Sequence, residues 1–273
     1  MKPQRRPFRG RLRRGIFILP SLFTTGNILL GFYAIILAYR GRFSDAALLI
    51  FLAAIIDTLD GRIARMTGTD SEFGREYDSL ADLLTFGVAP PLMAFFWGLE
   101  DFSRIGWLIP LFFTICTATR LARFNIQTSS IDSRFFVGMP APAAASSFCA
   151  ILYTVPQRSD FTAPWQAVLS AITMAALILL GSLMVSTFRY RSFKQIDLRK
   201  RWSYRALLPI CTLVLVIALR PEAFFLAIGV LYTASAPIAW LMGRLKRTPS
   251  PGSEEGQLAE GAVIVKDPAE SET

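Results

Sequence analysis

Long apolar runs separated by short polar stretches follow one another along most of the chain. Eight of these runs are long enough, or nearly long enough, to cross a bilayer as a helix. The pattern therefore predicts an all-α fold: a polytopic membrane helical bundle with about eight transmembrane helices, as a six-helix core plus a C-terminal pair. The approximate bounds are 16–39, 43–61, 77–98, 105–124, 139–156, 165–187, 204–219 and 222–242.

The composition supports a membrane protein independently of the pattern. Hydrophobic residues make up 53% of the 273 residues against 18% charged, and the mean hydropathy is +0.43. A chain this apolar differs from an ordinary soluble domain. The alternative is a soluble protein with an unusually large buried helical core.

Shifts in composition divide the chain into four predicted regions. The first, 1–14, is a basic N-terminal segment, and 15–190 is the core of the bundle. A basic loop and the C-terminal transmembrane pair occupy 191–247. The tail, 248–273, is rich in Glu, Ser, Gly and Pro, and this composition predicts disorder.

The placement of Lys and Arg predicts an orientation. With the N-terminus in the cytoplasm and eight spans, the basic clusters all fall on the cytoplasmic side, in 1–14, 62–75, 120–134, 189–205 and after the last span. Both termini are then cytoplasmic. Anionic lipid headgroups can balance these clusters, so the net charge of +9 calls for no nucleic-acid partner.

Four aspartates lie at the edges of two apolar runs. Asp57 and Asp60 are three residues apart, and Asp78 and Asp82 are four apart, so each pair shares one helix face. Two facing helices would bring four carboxylates to one point, which requires a cation. The chain has no His, and all-oxygen ligation suits Mg²⁺ or Mn²⁺.

The residues around the aspartates fit a phosphate-bearing ligand. Gly61 and Gly74 leave room for it, and Arg65 offers a guanidinium fork. The alternative is a salt-bridged pair of helices in which Arg62, Arg65 and Arg75 neutralise the acids.

The spacing D-x₂-D-G-x₂-A-R-x₈-G-x₃-D-x₃-D resembles the signature of the CDP-alcohol phosphatidyltransferase family at all eight positions. The resemblance implies an alcohol that attacks a CDP-linked lipid and displaces CMP. It places the four aspartates around one or two divalent ions, with Asp82 either accepting the hydroxyl proton or serving only as a ligand. The small residues Gly61, Ala64 and Gly74 would line the CMP site, and Arg65 would contact phosphate.

Three further stretches resemble the phosphatidylserine synthase branch of that family: Leu19 to Asn27, Ala118 to Asn125, and Gly138 to Ala145. This branch implies CDP-diacylglycerol and L-serine as substrates, a bacterial inner membrane, and a homodimer. Arg120 and Arg123 share a helix face and would bind the serine carboxylate. Their alternative role is to anchor a helix end on the cytoplasmic side. Asn27 either contacts the nucleotide or makes an interhelical hydrogen bond.

Other functions fit parts of the pattern. The same chemistry with glycerol 3-phosphate, inositol phosphate or choline as acceptor keeps the aspartates but changes the acceptor site. A cation transporter also places carboxylates among membrane helices, although it would distribute them along a path through the bilayer. A membrane scaffold leaves the aspartate spacing unexplained.

Overall fold

The computed structural model describes residues 18–67, 71–127, 135–191 and 219–245, together with Cys211, Thr212 and Leu215. The regular secondary structure of this part is helical apart from two short strands, β1 (Phe135–Val137) and β2 (Arg189–Arg191). The prediction of a helical bundle is confirmed, whereas the strands were not predicted. The α-helices are α1 (Ile18–Tyr39), α2 (Phe43–Thr67), α3 (Glu72–Asp82), α4 (Ala89–Ala94), α5 (Ser103–Gln127), α6 (Ala141–Thr154), α7 (Ala163–Val185) and α8 (Pro221–Leu245).

Helices α3 and α4 belong to one continuous helical segment, residues 72–102, which contains two wide π-helical stretches. Leu83–Val88 precedes α4 and Phe95–Leu99 follows it, before a 3₁₀ turn at Glu100–Phe102. Pro90 and Pro91 lack N–H donors, and a proline ring clashes with the carbonyl four residues earlier in a regular helix. A locally widened backbone accommodates such a conflict.

Two local features fix the ends of this long segment. At its start, the Ser71 hydroxyl oxygen accepts a 2.9 Å hydrogen bond from the Gly74 N–H and caps α3. Near its end, Gly98 has φ +147°, a conformation that residues with a Cβ rarely adopt. The backbone therefore bends at Gly98 before α5 begins.

Small residues allow the helices to approach closely. Helix α1 packs on α2, α2 on α6, and α5 on α7, with fully buried alanines such as Ala34, Ala46 and Ala144 in the core. The approach of α1 to the first wide stretch is especially close. A Cβ built on Gly31 would lie 2.7 Å from the Thr85 hydroxyl oxygen.

Four helical stretches in the described residues are long and apolar enough to cross a membrane: Ser21–Tyr39, Glu72–Ile126, Ala163–Val185 and Pro221–Met242. They support an integral membrane protein, but the predicted count of eight is not confirmed. Helix α6 has only 14 residues, and α2 carries acidic and basic side chains in its second half. Most of the predicted span at 204–219 lies outside the described residues.

The strand pair joins the start of α6 to the end of α7. Strands β1 and β2 are antiparallel, with Phe136 opposite Tyr190. Beyond β1, the Gly138 N–H donates to the Phe188 carbonyl at 2.9 Å, and Gly138 has φ +83°. A Cβ at Gly138 would lie 2.3 Å from the Met184 carbonyl oxygen, so only glycine fits this crossing.

Contacts divide the chain into two compact units, which meet in sequence between Ala236 and Pro237. The first unit contains all the elements up to most of α8. In the second, the described residues are the end of α8, Pro237–Leu245. The predicted basic segment 1–14 and tail 248–273 lie outside the described residues, and the four-region division stays a prediction.

Candidate metal and substrate site

Helices α2 and α3 bring three of the four aspartates together. Asp57, Asp60 and Asp78 each place a carboxylate oxygen so that all three oxygens lie within 4.8 Å of one another. Asp60 is buried, and the other two are half-buried. Three carboxylates at this separation repel one another strongly unless a cation lies between them. The geometry is therefore that of a candidate divalent-metal site.

Asp82 lies one helical turn beyond Asp78 and outside that group of three. Its carboxylate interacts electrostatically with Asp57, Asp60 and Asp78, and also with the guanidinium of Arg120. Asp82 thus interacts both with the acidic cluster and with a cation of another helix.

The hydrogen bonding of the buried carboxylate oxygens indicates whether the site fits a metal. In the described part of the chain, one oxygen of Asp78 and one of Asp82 are buried without a hydrogen-bond partner. Buried anionic oxygens are costly when nothing compensates them. An oxygen-ligated ion such as Mg²⁺ or Mn²⁺ would compensate these atoms, so the donor set fits the expected cofactor.

The side-chain amide of Asn27 is buried close to the start of the long helical segment. Its side chain is fully buried, and neither polar atom of the amide has a hydrogen-bond partner among the described residues. The Thr85 hydroxyl donates to the Asn27 backbone carbonyl at 3.0 Å, three residues beyond Asp82 in the sequence. An amide in this condition is available to a polar ligand.

The small residues of the motif flank the aspartates as their sequence positions require. Gly61 follows Asp60 on α2, and Gly74 lies in the first turn of α3, where an added Cβ would approach the Ser71 hydroxyl at 3.0 Å. Ala64 and Arg65 lie on the last turns of α2. Their side chains are outside the described part, so their predicted contacts stay predictions.

The structure separates the two arginines that the sequence grouped together. Arg120 on α5 interacts with Asp82 and Asp57, and with Tyr232 on α8. Arg123 is half-buried one turn further along α5, and among the described residues no ion pair joins it to an acid. Arg120 is therefore the arginine that faces the candidate metal site.

Sequence reasoning missed a polar network that ties α5 to α3. The Asn125 amide donates to Glu76 at 3.2 Å and to the Ser79 hydroxyl at 3.1 Å. Ser79 is the neighbour of Asp78, so this network fixes α3 next to the site. The only available signal was that Asn125 ends the same polar stretch that contains Arg120 and Arg123.

A family model and several named proteins match this chain. The family model described as CDP-alcohol phosphatidyltransferase matches residues 17–181, more than half of the chain. A protein from Helicobacter pylori named CDP-diacylglycerol–serine O-phosphatidyltransferase is 37% identical over 232 residues, 85% of this chain and 94% of that protein.

Two further relatives carry the same name. One from Mycobacterium tuberculosis is 40% identical over 164 residues, 58% of this chain and 57% of that protein. One from Bacillus subtilis is 35% identical over 177 residues, 65% of this chain and 92% of that protein.

The two kinds of match end at different points along the chain. A match of 232 residues within 273 must include residues 42–232, so the similarity to the Helicobacter pylori protein extends into α8. The family model ends earlier, within α7. It nevertheless contains all four aspartates and both arginines of the site. On the extent of these matches, the chain belongs to the CDP-alcohol phosphatidyltransferase family, whose members are transferases of phospholipid biosynthesis.

Proposed function

We propose that the protein transfers the phosphatidyl group of CDP-diacylglycerol to the hydroxyl of L-serine, giving phosphatidylserine and CMP. The observation that carries the proposal is the cluster of Asp57, Asp60 and Asp78, together with the electrostatic interaction of Asp82 with both this cluster and Arg120. A divalent ion held by the cluster would bind the pyrophosphate of the donor. Arg120 would bind an acceptor that carries a carboxylate. The names of the relatives support the same substrates.

The aspartates hold the divalent metal in this proposal. Asp57, Asp60 and Asp78 are ligands, and Asp82 completes the set of four or acts beside it. Mg²⁺ and Mn²⁺ both suit carboxylate oxygens. When bound, the metal neutralises the pyrophosphate and stabilises charge on the leaving CMP.

The nucleotide occupies the region next to the cluster. Gly61, Gly74 and Ala64 leave space along it, and Arg65 pairs with phosphate. The buried Asn27 amide, which has no hydrogen-bond partner among the described residues, supports a polar contact with the nucleotide. These contacts orient the phosphorus that bears the diacylglycerol toward the acceptor.

The acceptor binds on the α5 side. Arg120 pairs with the serine carboxylate, and Arg123 adds positive charge one turn away. The serine hydroxyl forms a new bond to the diacylglycerol-bearing phosphorus, and the bond from that phosphorus to the CMP oxygen breaks. Asp82 accepts the hydroxyl proton, since it interacts both with Arg120, where the acceptor binds, and with the carboxylate cluster.

The membrane setting follows from the same proposal. The protein lies in a bacterial inner membrane with the site and both termini in the cytoplasm, where a CDP-linked headgroup is accessible. The basic regions rest on anionic lipids. The protein acts as a homodimer and has no nucleic-acid partner.

Release of CMP from CDP-diacylglycerol by purified, detergent-solubilised protein tests the proposal. Serine, glycerol 3-phosphate, inositol phosphate and choline are supplied separately, with Mg²⁺, Mn²⁺ or EDTA. We expect metal-dependent CMP release with serine and formation of phosphatidylserine. Release with another alcohol alone would overturn the serine assignment. Transport of the cation without CMP release would overturn the transferase proposal.

A further inference from the structure

Asp78 lies between two residues of α3 that form hydrogen bonds with other helices. Its preceding neighbour, Tyr77, reaches Thr25 of α1, with the two hydroxyl oxygens 3.0 Å apart. Its following neighbour, Ser79, is bonded to Asn125 of α5 at 3.1 Å. Successive residues of an α-helix point about 100° apart, so these three side chains leave α3 in different directions. Asp78 itself places a carboxylate oxygen within 4.8 Å of those of the two α2 aspartates in the cluster.

The bond to α1 has a defined direction. The Thr25 hydroxyl donates its proton to the Ser21 carbonyl of its own helix at 2.7 Å. Because a hydroxyl group has only one proton, the Tyr77 hydroxyl is the donor to Thr25 Oγ1. The ring of Tyr77 is also stacked on that of Phe73, with centroids 5.8 Å apart. Contacts at both its ring and its hydroxyl therefore hold the Tyr77 side chain.

The bond to α5 is part of a small network. The two amide protons of Asn125 are donated to Glu76 at 3.2 Å and to the Ser79 hydroxyl at 3.1 Å. The Ser79 hydroxyl can donate in turn to the Arg75 carbonyl at 3.0 Å or back to Asn125 Oδ1 at 3.2 Å. Helix α5 packs on the wide stretch that follows α3, and Asn125 extends this contact to α3 itself.

A small rotation of α3 about its axis would be enough to disrupt the cluster. Side chains end about 5–6 Å from a helix axis, so a rotation of about 20° moves a carboxylate oxygen by about 2 Å. That displacement is as long as a Mg²⁺–oxygen bond, about 2.0–2.1 Å. Like charges in the cluster repel Asp78 when no ion is bound, which favours such a rotation. Bonds that resist it therefore keep the site ready for the metal.

From this arrangement we infer that the bonds of Tyr77 to α1 and of Asn125 to α3 hold α3 in the rotation at which Asp78 reaches the α2 aspartates. Tyr77 and Asn125 are then positioning residues for the metal site, and each acts through α3. The inference rests on the metal-binding part of the proposed function.

Substitution Thr25→Val in the full-length protein tests the α1 side, because it removes the acceptor, keeps the branched shape and leaves α3 unchanged. The Kd for Mn²⁺ is measured from the electron paramagnetic resonance signal of the free ion, which requires no turnover. Thr25 and Tyr77 lie in stretches long and apolar enough to cross a membrane. An interhelical hydrogen bond there changes an equilibrium about threefold, so we expect a rise of that size in the Kd. Thr25→Ser keeps the hydroxyl and should keep the wild-type Kd.

Substitution Asn125→Leu tests the α5 side. Leucine keeps the branched shape but makes neither bond, so we expect about a tenfold rise in the Kd for Mn²⁺. At saturating Mn²⁺, CMP release by both variants should return to the wild-type rate, because the chemistry of the site is unchanged.

Thr154→Val is the matched control. The Thr154 hydroxyl donates at 2.8 Å to the Ala150 carbonyl of its own helix, α6, so the same change of residue removes no bond between helices. Its Kd for Mn²⁺ should equal that of the wild type. An unchanged Kd in both Thr25→Val and Asn125→Leu, or an equal rise in Thr154→Val, would overturn the inference.

Failure of the proposed function gives a different result. A wild-type protein that binds no Mn²⁺ would refute the metal site, and the inference would fail with it. If the wild type binds Mn²⁺ and both variants bind it equally tightly, the metal site stands and only the inference fails. The Kd is measured without CDP-diacylglycerol or an acceptor, so the serine assignment does not affect the outcome.

Discussion

The charged side chains at the two ends of the long helical segment differ in their hydrogen-bond partners. At the start, Asp78 and Asp82 keep buried oxygens without a hydrogen-bond partner among the described residues. At the far end, Asp101 pairs with Arg158, which also donates to the Gly98 carbonyl at 2.6 Å and to the Ser170 hydroxyl at 3.0 Å. A charged group whose hydrogen bonds are made within the protein can serve the fold, whereas a buried charged oxygen without a hydrogen-bond partner indicates a position for a ligand. The comparison therefore separates a structural end from a functional end.

Substitution Asp78→Asn should have the largest effect. The change removes one ligand charge, and metal contributes several kcal/mol to such a reaction, so we expect CMP release to fall about a thousandfold. Asp45→Asn is the matched control, because Asp45 makes an exposed pair with Arg42 in the first turn of α2, at the other end of the helix from the cluster. Thermal unfolding without metal should show no loss of stability in Asp78→Asn, since like charges are removed. A variant that loses stability and keeps its activity would reverse the assignment of the two ends.

Stabilisation of the protein by metal should depend on the aspartates at the start of the segment and not on Asp101 at its far end. A ligand at about 100 times its Kd stabilises the folded state by about 2.7 kcal/mol. We therefore expect Mn²⁺ to raise the thermal unfolding temperature of the wild type and of an Asp101→Asn variant, and EDTA to reverse it. In Asp78→Asn the increase should be much smaller. Equal stabilisation of all three proteins would mean that the ion binds elsewhere.

Substitution Arg158→Met tests the structural end. The methionine keeps apolar volume but leaves the Gly98 carbonyl and Asp101 without their donor, so we expect a loss of about 2 kcal/mol in unfolding free energy. The KM values should not change. Arg42→Met removes an exposed pair and should cost at most about 1 kcal/mol. A loss of activity without a loss of stability in Arg158→Met would contradict the structural role.

Substitution Tyr190→Phe should have the smallest effect, and the effect should be on the unfolding temperature. Tyr190 is fully buried and its hydroxyl already donates a hydrogen bond. Burial raises the pKa of Tyr190 to about 12, against about 10 for an unfolded tyrosine. The folded state holds the proton more tightly, so this stabilisation is complete below pH about 10 and is lost as the pH rises toward about 12. Unfolding temperatures of the wild type and Tyr190→Phe should converge over that range. Parallel curves would show that the pKa of Tyr190 is not raised in the folded state.

Part of the candidate site could be predicted from the sequence. Carboxylates at i, i+3 and i, i+4 must share helix faces, so the spacing of Asp57, Asp60, Asp78 and Asp82 was enough to predict two facing pairs. Which of them meet is a question of helix packing, and the structure groups only three within 4.8 Å. Arg120 and Arg123 were equivalent in sequence, and only the orientation of α5 distinguishes them.

Other elements had no local signal. Strands β1 and β2 have three residues each and are more than fifty residues apart, so their pairing depends on the positions of α6 and α7. The hydrogen bond from Tyr190 in β2 to the Thr233 carbonyl of α8 likewise depends on the positions of whole helices. Helices α1 and α7 were predictable because long apolar runs determine them directly.

The wide stretch Leu83–Val88 has a consequence for how this chain can change length. A π-helical turn holds one residue more than an α-helical turn, and each residue rotates the helix by about 100°. Deleting one residue there would convert a wide turn into a regular one and leave the helix beyond it with nearly the same orientation relative to Asp78 and Asp82. Deleting one residue from the regular turns of α3 would instead rotate everything beyond by about 100°. A one-residue deletion should therefore be tolerated better in Leu83–Val88 than in α3.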